Sequence, residues 1–310
     1  MKKALIYGIT GQDGYYLYQL LLEKGYEIIG VSNKESDDFP EAEMHVADLS
    51  SDEDDFLFFI EDSKPDEVYN LAAISNYDDS SRNLSLLFKV NTIAPIRMME
   101  CILKKSPKTR ILHALSAYMY SSKDLITEDS IISPTSPYGI SKASLYYMMK
   151  YYRNKGVFCA GAILFNHESP VRPEQFVTRK ITKAAVEFKL GLRTEKLTLG
   201  NINARKDWGF AGDYVEAMWL MLQQPKPDDY IIATSQHHSV RDLCEIAFGQ
   251  LGLDWKEYVT IESSLVRPDE ASFLADISKA RKILGWSPKV DFNTLIKMMV
   301  ESDLKKLQNH

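Results

Sequence analysis

The stretch Lys3-Ala4-Leu5-Ile6-Tyr7-Gly8-Ile9-Thr10-Gly11-Gln12-Asp13-Gly14 opens the chain with a short apolar run that ends in glycines. Residues 3–8 read as a buried parallel strand. Residues 15–24, YYLYQLLLEK, carry apolar side chains at helical spacing, and Gly25 stands where a helix C-cap belongs. Residues 27–31, EIIGV, are a second strand. The first ~30 residues therefore make strand, glycine loop, helix and strand, the size of one βαβ unit. Gly8, Gly11 and Gly14 let the backbone approach a pyrophosphate, and the helix N-terminus behind them favours its negative charge. A lone glycine triplet is often only a tight turn. Its place between a strand and a helix is what points to a nucleotide.

Strands and helices keep alternating outward from this unit. Residues 44–49 read as a third strand, and Asp48 at its end either contacts adenine or caps a helix starting near Ser50. The acidic run 52–55 on that helix reads as a solvated face. Residues 67–73, EVYNLAA, are a fourth strand running into small residues, which leave room for a cofactor at the strand's carboxyl end. Residues 84–104 form a long amphipathic helix containing Asn91, and 110–116 a fifth strand ending in Ser116. A helix over 137–155 and a strand over 157–164 follow. This alternation through ~165 predicts an α/β fold with a doubly wound parallel sheet.

Beyond it the loops turn basic. Arg172, Arg179, Lys180, Arg205, Lys206 and Arg267 are candidates to grip a pyrophosphate, in a smaller lobe, because guanidinium groups match phosphate oxygens. Taken singly, each also reads as an ordinary surface charge. His167 reads equally as a loop histidine or a functional one. The four tryptophans, Trp208, Trp219, Trp255 and Trp286, read as core.

The chemistry is expected at Thr135-Ser136-Pro137-Tyr138-Gly139-Ile140-Ser141-Lys142. Pro137 suits the first turn of a helix. Tyr138 and Lys142 then share one helix face. A free tyrosine, with a pKa of about 10, is a poor base at neutral pH. A nearby ammonium favours the phenolate, so the expectation is a tyrosine tuned downward by its lysine. Ser116 either binds a substrate oxygen beside Tyr138 or caps the next turn.

The bulk properties exclude other classes. The 310 residues are 45% hydrophobic and carry a net charge of -6, which argues against a general nucleic-acid binder. The three cysteines, Cys101, Cys159 and Cys244, are scattered, with no metal-ligand spacing, and read as buried residues in a reducing compartment. No stretch approaches a membrane span, and the N-terminal run reads as a strand rather than a signal peptide. A cytoplasmic location is expected, with no metal.

Several runs together resemble one family. They are Gly8 to Gly14, Asn70-Leu71-Ala72-Ala73, Ser136-Pro137-Tyr138 with Lys142, Ile163 to Pro170, Phe176 to Ile181, and Asp207-Trp208-Gly209 leading to Trp219. Arg267-Pro268 with Glu270, then Leu284-Gly285-Trp286, extend the likeness almost to the C-terminus. The chain resembles an extended short-chain dehydrogenase/reductase, specifically the GDP-mannose 4,6-dehydratase family. The resemblance implies a GDP-sugar substrate and hydride removal from sugar C4 by a nicotinamide. It implies Ser116, Tyr138 and Lys142 as catalytic residues. It places the cofactor on Gly8, Thr10, Gly11, Gln12, Asp13, Gly14, Asn33, Asp48, Leu49, Leu71, Ala72, Ala73, Tyr138, Lys142, Leu164 and His167. It places the sugar nucleotide on Ser75, Tyr118, Asn166, Arg172, Lys180, Arg205, Lys206, Arg267 and Glu270. Residues 1–165 and 207–240 would form the Rossmann domain, and 166–206 and 241–310 the GDP-sugar lobe. A homodimer through the helices near 84–104 and 137–155 is implied as well.

Three departures qualify this. The family's dehydratases carry a glutamate two residues after the catalytic hydroxyl, which removes the C5 proton; here Tyr118 stands in that place. The loop after the second strand is cut to roughly residues 33–43 and lacks the family's paired arginines. Ser32, Asn33 and Lys34 occupy the strand end, where an acid would select NAD and an arginine NADP. The short loop leans toward NAD, with NADP the alternative. The arginine expected before Asp207 is Lys206, preceded by Arg205.

The expectation is therefore an NAD(P)-dependent oxidoreductase acting at C4 of GDP-mannose or GDP-manno-heptose and forming a 4-keto sugar. A 4,6-dehydratase and a C4 epimerase are the alternatives. A nucleotide-sugar-binding protein is the non-enzyme rival.

Overall fold

Seven strands hydrogen-bond into one parallel sheet. In chain order they are β1 (Lys3–Tyr7), β2 (Glu27–Ser32), β3 (Ala42–Val46), β4 (Glu67–Asn70), β5 (Arg110–Ser116), β6 (Cys159–Leu164) and β7 (Asp229–Ile232). Across the sheet the order is β7-β6-β5-β4-β1-β2-β3. The computed structural model describes residues 1–75, 83–121, 125–262 and 274–308. The central strands are apolar throughout because helices cover both faces. Helix α1 (Gln12–Glu23) packs with α6 (Ala211–Gln223) over one face. Helices α2 (Asp55–Ser63), α3 (Ala94–Lys105) and α4 (Pro137–Asn154) pack over the other. The doubly wound sheet is as expected.

The strand order reverses between β1 and β4. A crevice opens there at the carboxyl ends of the strands, the place where such sheets bind ligands. Gly8 makes the turn at the end of β1 with φ +83°, and a Cβ on it would meet the Ala72 nitrogen at 2.8 Å. Only a glycine lets the two strand ends close to this distance.

The helix expected over 84–104 is present as one continuous helical run from Leu84 through α3, with a π-helical turn inside it at Lys89–Ile93. Asp48 does not cap a helix at Ser50: its Oδ1 accepts from the Ser50 N–H at 2.8 Å in a turn, and α2 begins at Asp55. The acidic run 52–55 is mostly exposed as expected, but it lies just before α2 and not along it. Lys89 pairs with Asp52 at 2.9 Å and Arg97 pairs with Asp54, tying this segment to the helix that follows β4.

Buried hydrophobic residues fall into two clusters. The first fills both faces of the sheet and also takes in Ala275, Ile277, Ala280, Leu284 and Trp286. The second gathers α5 (Val177–Lys189), α7 (Val240–Gly249) and α8 (Phe292–Gln308) around Trp208 and Trp255. Trp208, Trp255 and Trp286 are buried and Trp219 packs against the first cluster. All three cysteines are buried and free. Among the described residues no helix is long and apolar enough to cross a membrane, and no cluster of acidic, histidine or cysteine side chains could hold a metal.

Candidate functional site

The reactive side chains come from two elements that meet beside the crevice. Ser116 ends β5, and its Oγ accepts from the Tyr118 N–H at 3.3 Å. Helix α4 starts one residue after Ser136, whose Oγ caps it by accepting from the Gly139 N–H at 3.1 Å. This cap and Pro137 set the first turn, which presents Tyr138 to Ser116. The Ser116 hydroxyl is near enough to Tyr138 to lower its pKa against the effect of burial. A Cβ on Gly139 would meet the Tyr118 carbonyl oxygen at 2.2 Å, so the absence of a side chain lets the β5 extension lie directly on α4. The Tyr118 ring then stands edge-on to Tyr138, 6.3 Å between centroids. The Lys206 Nζ approaches the Tyr118 ring to 5.9 Å.

Lys142 follows one turn later and is buried. Its Nζ donates to the Ala114 carbonyl at 2.7 Å and lies 5.9 Å from the Tyr138 ring centroid. The expected tuning is not what the structure displays. Burial pushes the Tyr138 phenol up to about 12, opposed first by the neighbouring Ser116 hydroxyl. Burial pushes the Lys142 ammonium down to about 8. Desolvation penalises both charged forms, and the hydrogen bond that Lys142 makes goes to a backbone carbonyl, not to the phenol.

Asn91, on the π-helical turn, braces the site from behind. Its Oδ1 accepts from the Ile74 N–H at 2.9 Å, and its Nδ2 donates to the Ile74 carbonyl at 3.1 Å and to Ser141 Oγ at 3.2 Å. The segment leaving β4 is thereby clamped to α4. The sequence offers a polar residue in an apolar helix stripe as the only signal of this.

The glycine loop forms the other wall. A Cβ on Gly11 would meet only the Gly8 carbonyl, at 3.2 Å, so open space lies above the N-terminus of α1. A dinucleotide pyrophosphate requires that combination of bare backbone and helix end. The segment after β6 locks onto this loop. Gln12 Nε2 donates to the His167 carbonyl at 3.0 Å, and Ser169 donates to Gln12 Oε1 at 2.8 Å. His167 Nε2 faces the Asp13 carboxylate at 2.9 Å and Nδ1 faces the Phe165 carbonyl at 2.8 Å. Two acceptors on two ring nitrogens require an imidazolium. Burial lowers the pKa of His167, but Asp13 outweighs it and the net shift is upward. Burial likewise acts to raise Asp13, and the imidazolium holds it below the ordinary carboxylate range.

The basic candidates separate. Arg172 stays at the site: its charge bears on Tyr138, Asp13 and His167. Its Nε lies 3.2 Å from Glu168 at an angle that leaves that nitrogen without a hydrogen bond, and its guanidinium stacks on Phe176 at 3.6 Å. Arg179 cannot grip a ligand, because its guanidinium is buried against Asp303. Arg205 and Lys206 are neighbours on a short strand, where successive side chains point to opposite faces. Lys206 turns toward Tyr118, while Arg205 is exposed and donates to the His237 carbonyl at 3.3 Å. Lys180 is exposed at the start of α5 and Ser75 is exposed after β4. Asn166 carries the carbonyl that accepts from the Gly209 N–H at 3.0 Å. Leu71, Ala72, Ala73 and Leu164 line strand ends at the crevice; Asn33 and Asp48 are exposed at its β2–β3 side, and Leu49 is buried. Arg267 and Glu270 lie outside the described residues.

A family model described as GDP-mannose 4,6 dehydratase matches residues 5–299. GDP-mannose 4,6 dehydratase 1 of Arabidopsis thaliana is 43% identical over 98% of this chain and 90% of its own length. The GDP-mannose 4,6-dehydratase of Vibrio cholerae is 34% identical over 100% and 95%. Among solved structures, a UDP-glucose 4-epimerase from Thermotoga maritima superposes with a TM-score of 0.88 over 98% of this chain and 99% of that one, at 22% identity. A dTDP-glucose 4,6-dehydratase from Bacillus anthracis in complex with NAD gives 0.85 over 99% and 98%, at 18%.

Proposed function

The chain belongs to the GDP-mannose 4,6-dehydratase family, and on that premise we propose that it oxidises C4 of a GDP-linked mannose-type sugar, hexose or heptose, and stops at the 4-keto sugar without removing water. Bound NAD(P) supplies the two-electron acceptor for this step. The glycine loop and the N-terminus of α1, braced by the Asp13–His167 pair, would hold its pyrophosphate side, and Lys142 and Tyr138 would stand at its nicotinamide side. The segments 166–206 and 241–310 hold the GDP-sugar, with Arg172 and Lys206 toward its phosphates.

One observation carries the reading: Tyr118, not a carboxylate, stands two residues after Ser116 with its ring edge-on to Tyr138, 6.3 Å between centroids. Tyr138 takes the C4 hydroxyl proton and Ser116 orients that hydroxyl. At about 12 the phenol is protonated at neutral pH, so it becomes a base only when its surroundings gain positive charge. The Lys142 ammonium, already charged below about 8, lies one helical turn away and serves this only by turning its Nζ from the Ala114 carbonyl toward the phenol. Removing the C5 proton needs a second base. A phenol with an unperturbed pKa of about 10 serves poorly where a carboxylate of about 4 would serve. The buried carboxylates nearby are engaged: Asp13 with His167, Glu168 with Thr178 at 2.5 Å, and Asp207 with the Thr234 and Ser235 N–H groups at 2.9 and 2.7 Å.

A second reading, full 4,6-dehydration with a base from elsewhere, is favoured by the names of the relatives. Mass spectrometry of reactions with GDP-mannose and GDP-manno-heptose separates the two. A product lighter by two hydrogens supports C4 oxidation alone. A product lighter by one water overturns it. Tyr138→Phe is expected to lower turnover by a factor of about 10² or more. Undiminished turnover would remove Tyr138 from the chemistry. A cytoplasmic homodimer fits this reading.

A further inference from the structure

Asn70, the last residue of β4, stands directly opposite His113 on β5. Both side chains are buried, that of His113 completely. Asn70 Nδ2 lies 3.1 Å from His113 Nδ1. On the other side of His113, β6 presents Gly161, which brings no side chain. Asn70 Oδ1 and His113 Nε2 are buried without a hydrogen-bond partner. The chemistry described so far uses neither residue.

The next residue along β5, Ala114, supplies the carbonyl that accepts from Lys142. Burial, then the charge of Lys142, then that of Arg153 push the His113 imidazole down to about 3, so the ring is neutral at physiological pH. Arg153 is paired with Asp229 of β7, and Tyr138 stands one turn before Lys142 on α4. Among the described residues no other charged side chain bears on the imidazole.

A neutral imidazole has one nitrogen that donates and one that accepts. With the amide nitrogen of Asn70 on Nδ1, the ring proton sits on Nε2. With the amide reversed, the same atom positions put the proton on Nδ1, donating to the Asn70 carbonyl oxygen, and leave Nε2 an acceptor. Near a buried ammonium the second arrangement is favoured, because a bare ring nitrogen attracts the charge that an N–H repels. An ammonium has three N–H donors, and Ala114 takes one of those on Lys142.

We propose that His113, oriented by Asn70, is a positioning residue for Lys142: its neutral imidazole presents Nε2 as an acceptor toward the ammonium and keeps the lysine charged in its buried seat beside Tyr138. The proposal rests on the roles given to Tyr138 and Lys142 above. Without that acceptor, burial acts on Lys142 with less opposition and the lysine gives up its proton at a lower pH.

Nitrogen-15 NMR of the full chain without nucleotide, with His113 assigned by its loss in His113→Gln, should find the Nδ1–H tautomer, still neutral at about pH 5. His113→Leu should move the alkaline limb of kcat/KM down by about one pH unit, measured with whichever of GDP-mannose and GDP-manno-heptose the wild type turns over. His113→Gln, which keeps a neutral acceptor, should restore most of that shift. Urea unfolding makes the same comparison without turnover. Stability of the wild type rises with pH from about 8, and in His113→Leu the rise should begin about one unit lower. An Nε2–H tautomer overturns the assignment of His113. So does a His113→Leu protein whose alkaline limb and unfolding profile match the wild type, or a shift that His113→Gln leaves unrestored. A wild type that turns over neither sugar overturns the C4 reading, and the NMR and unfolding measurements still decide His113.

Discussion

Replacing Lys142 by methionine should make this protein more stable at neutral pH while abolishing its activity. The Lys142 ammonium is buried and its pKa is pushed from an ordinary 10.5 down to about 8. At about 1.4 kcal/mol per pH unit, holding the charge in the fold costs about 3 kcal/mol. The hydrogen bond to the Ala114 carbonyl is part of that environment. Methionine fills similar volume without charge but leaves the carbonyl unpaired, which costs about 1 kcal/mol. The net expectation is a gain of about 2 kcal/mol at pH 7. The sign reverses with pH. Between about 8 and 10.5 the unfolded chain keeps a proton that the folded lysine has released, so wild-type stability rises with pH through that window. The advantage of Lys142→Met should therefore shrink across it and vanish near its upper end. Urea unfolding of the cofactor-free proteins at pH 7, 8.5 and 10 measures this. A variant less stable than wild type at pH 7, or a difference that does not change with pH, would refute the argument that burial sets the state of Lys142.

The other perturbations test single contacts. Tyr118→Glu restores a carboxylate two residues after Ser116, and mass spectrometry should then find product lighter by one water; unaltered product would dismiss Tyr118 as the reason for its absence. Asp13→Asn removes the carboxylate that raises His167, so the imidazole, followed by NMR, should titrate below its wild-type value, and an unmoved titration would mean that Asp13 does not govern it. In wild type the stabilisation from this pair is present below the unfolded histidine's 6.5, is lost as pH rises through the raised value, and is also lost at the acid end as Asp13 protonates. Arg179→Met leaves Asp303 buried and unpaired, and should cost about 3–5 kcal/mol in urea unfolding without changing GDP-sugar affinity. A weakened affinity with intact stability would return Arg179 to the phosphate site.

What the sequence determined by itself is whatever depends on near neighbours in the chain. The run from Lys3 to Gly14 could be read as strand, turn and helix because apolar spacing and glycine act within a few residues. Tyr138 and Lys142 share a helix face for the same local reason, and Pro137 after Ser136 marks where that helix begins. Steady alternation of such units implied a parallel sheet. Tertiary structure decided whatever depends on burial and on distant partners. Residues 229–232 join the sheet beside β6 only after the chain has made a long excursion. Arg179 looked available until Asp303, 124 residues away, enclosed it. Arg205 and Lys206 looked equivalent until a strand sent them to opposite faces. The lysine that spacing pairs with Tyr138 bonds a backbone carbonyl, because desolvation outweighs proximity. Spacing along a chain sets which residues can meet. The dielectric and the partners they meet in are properties of the packed molecule.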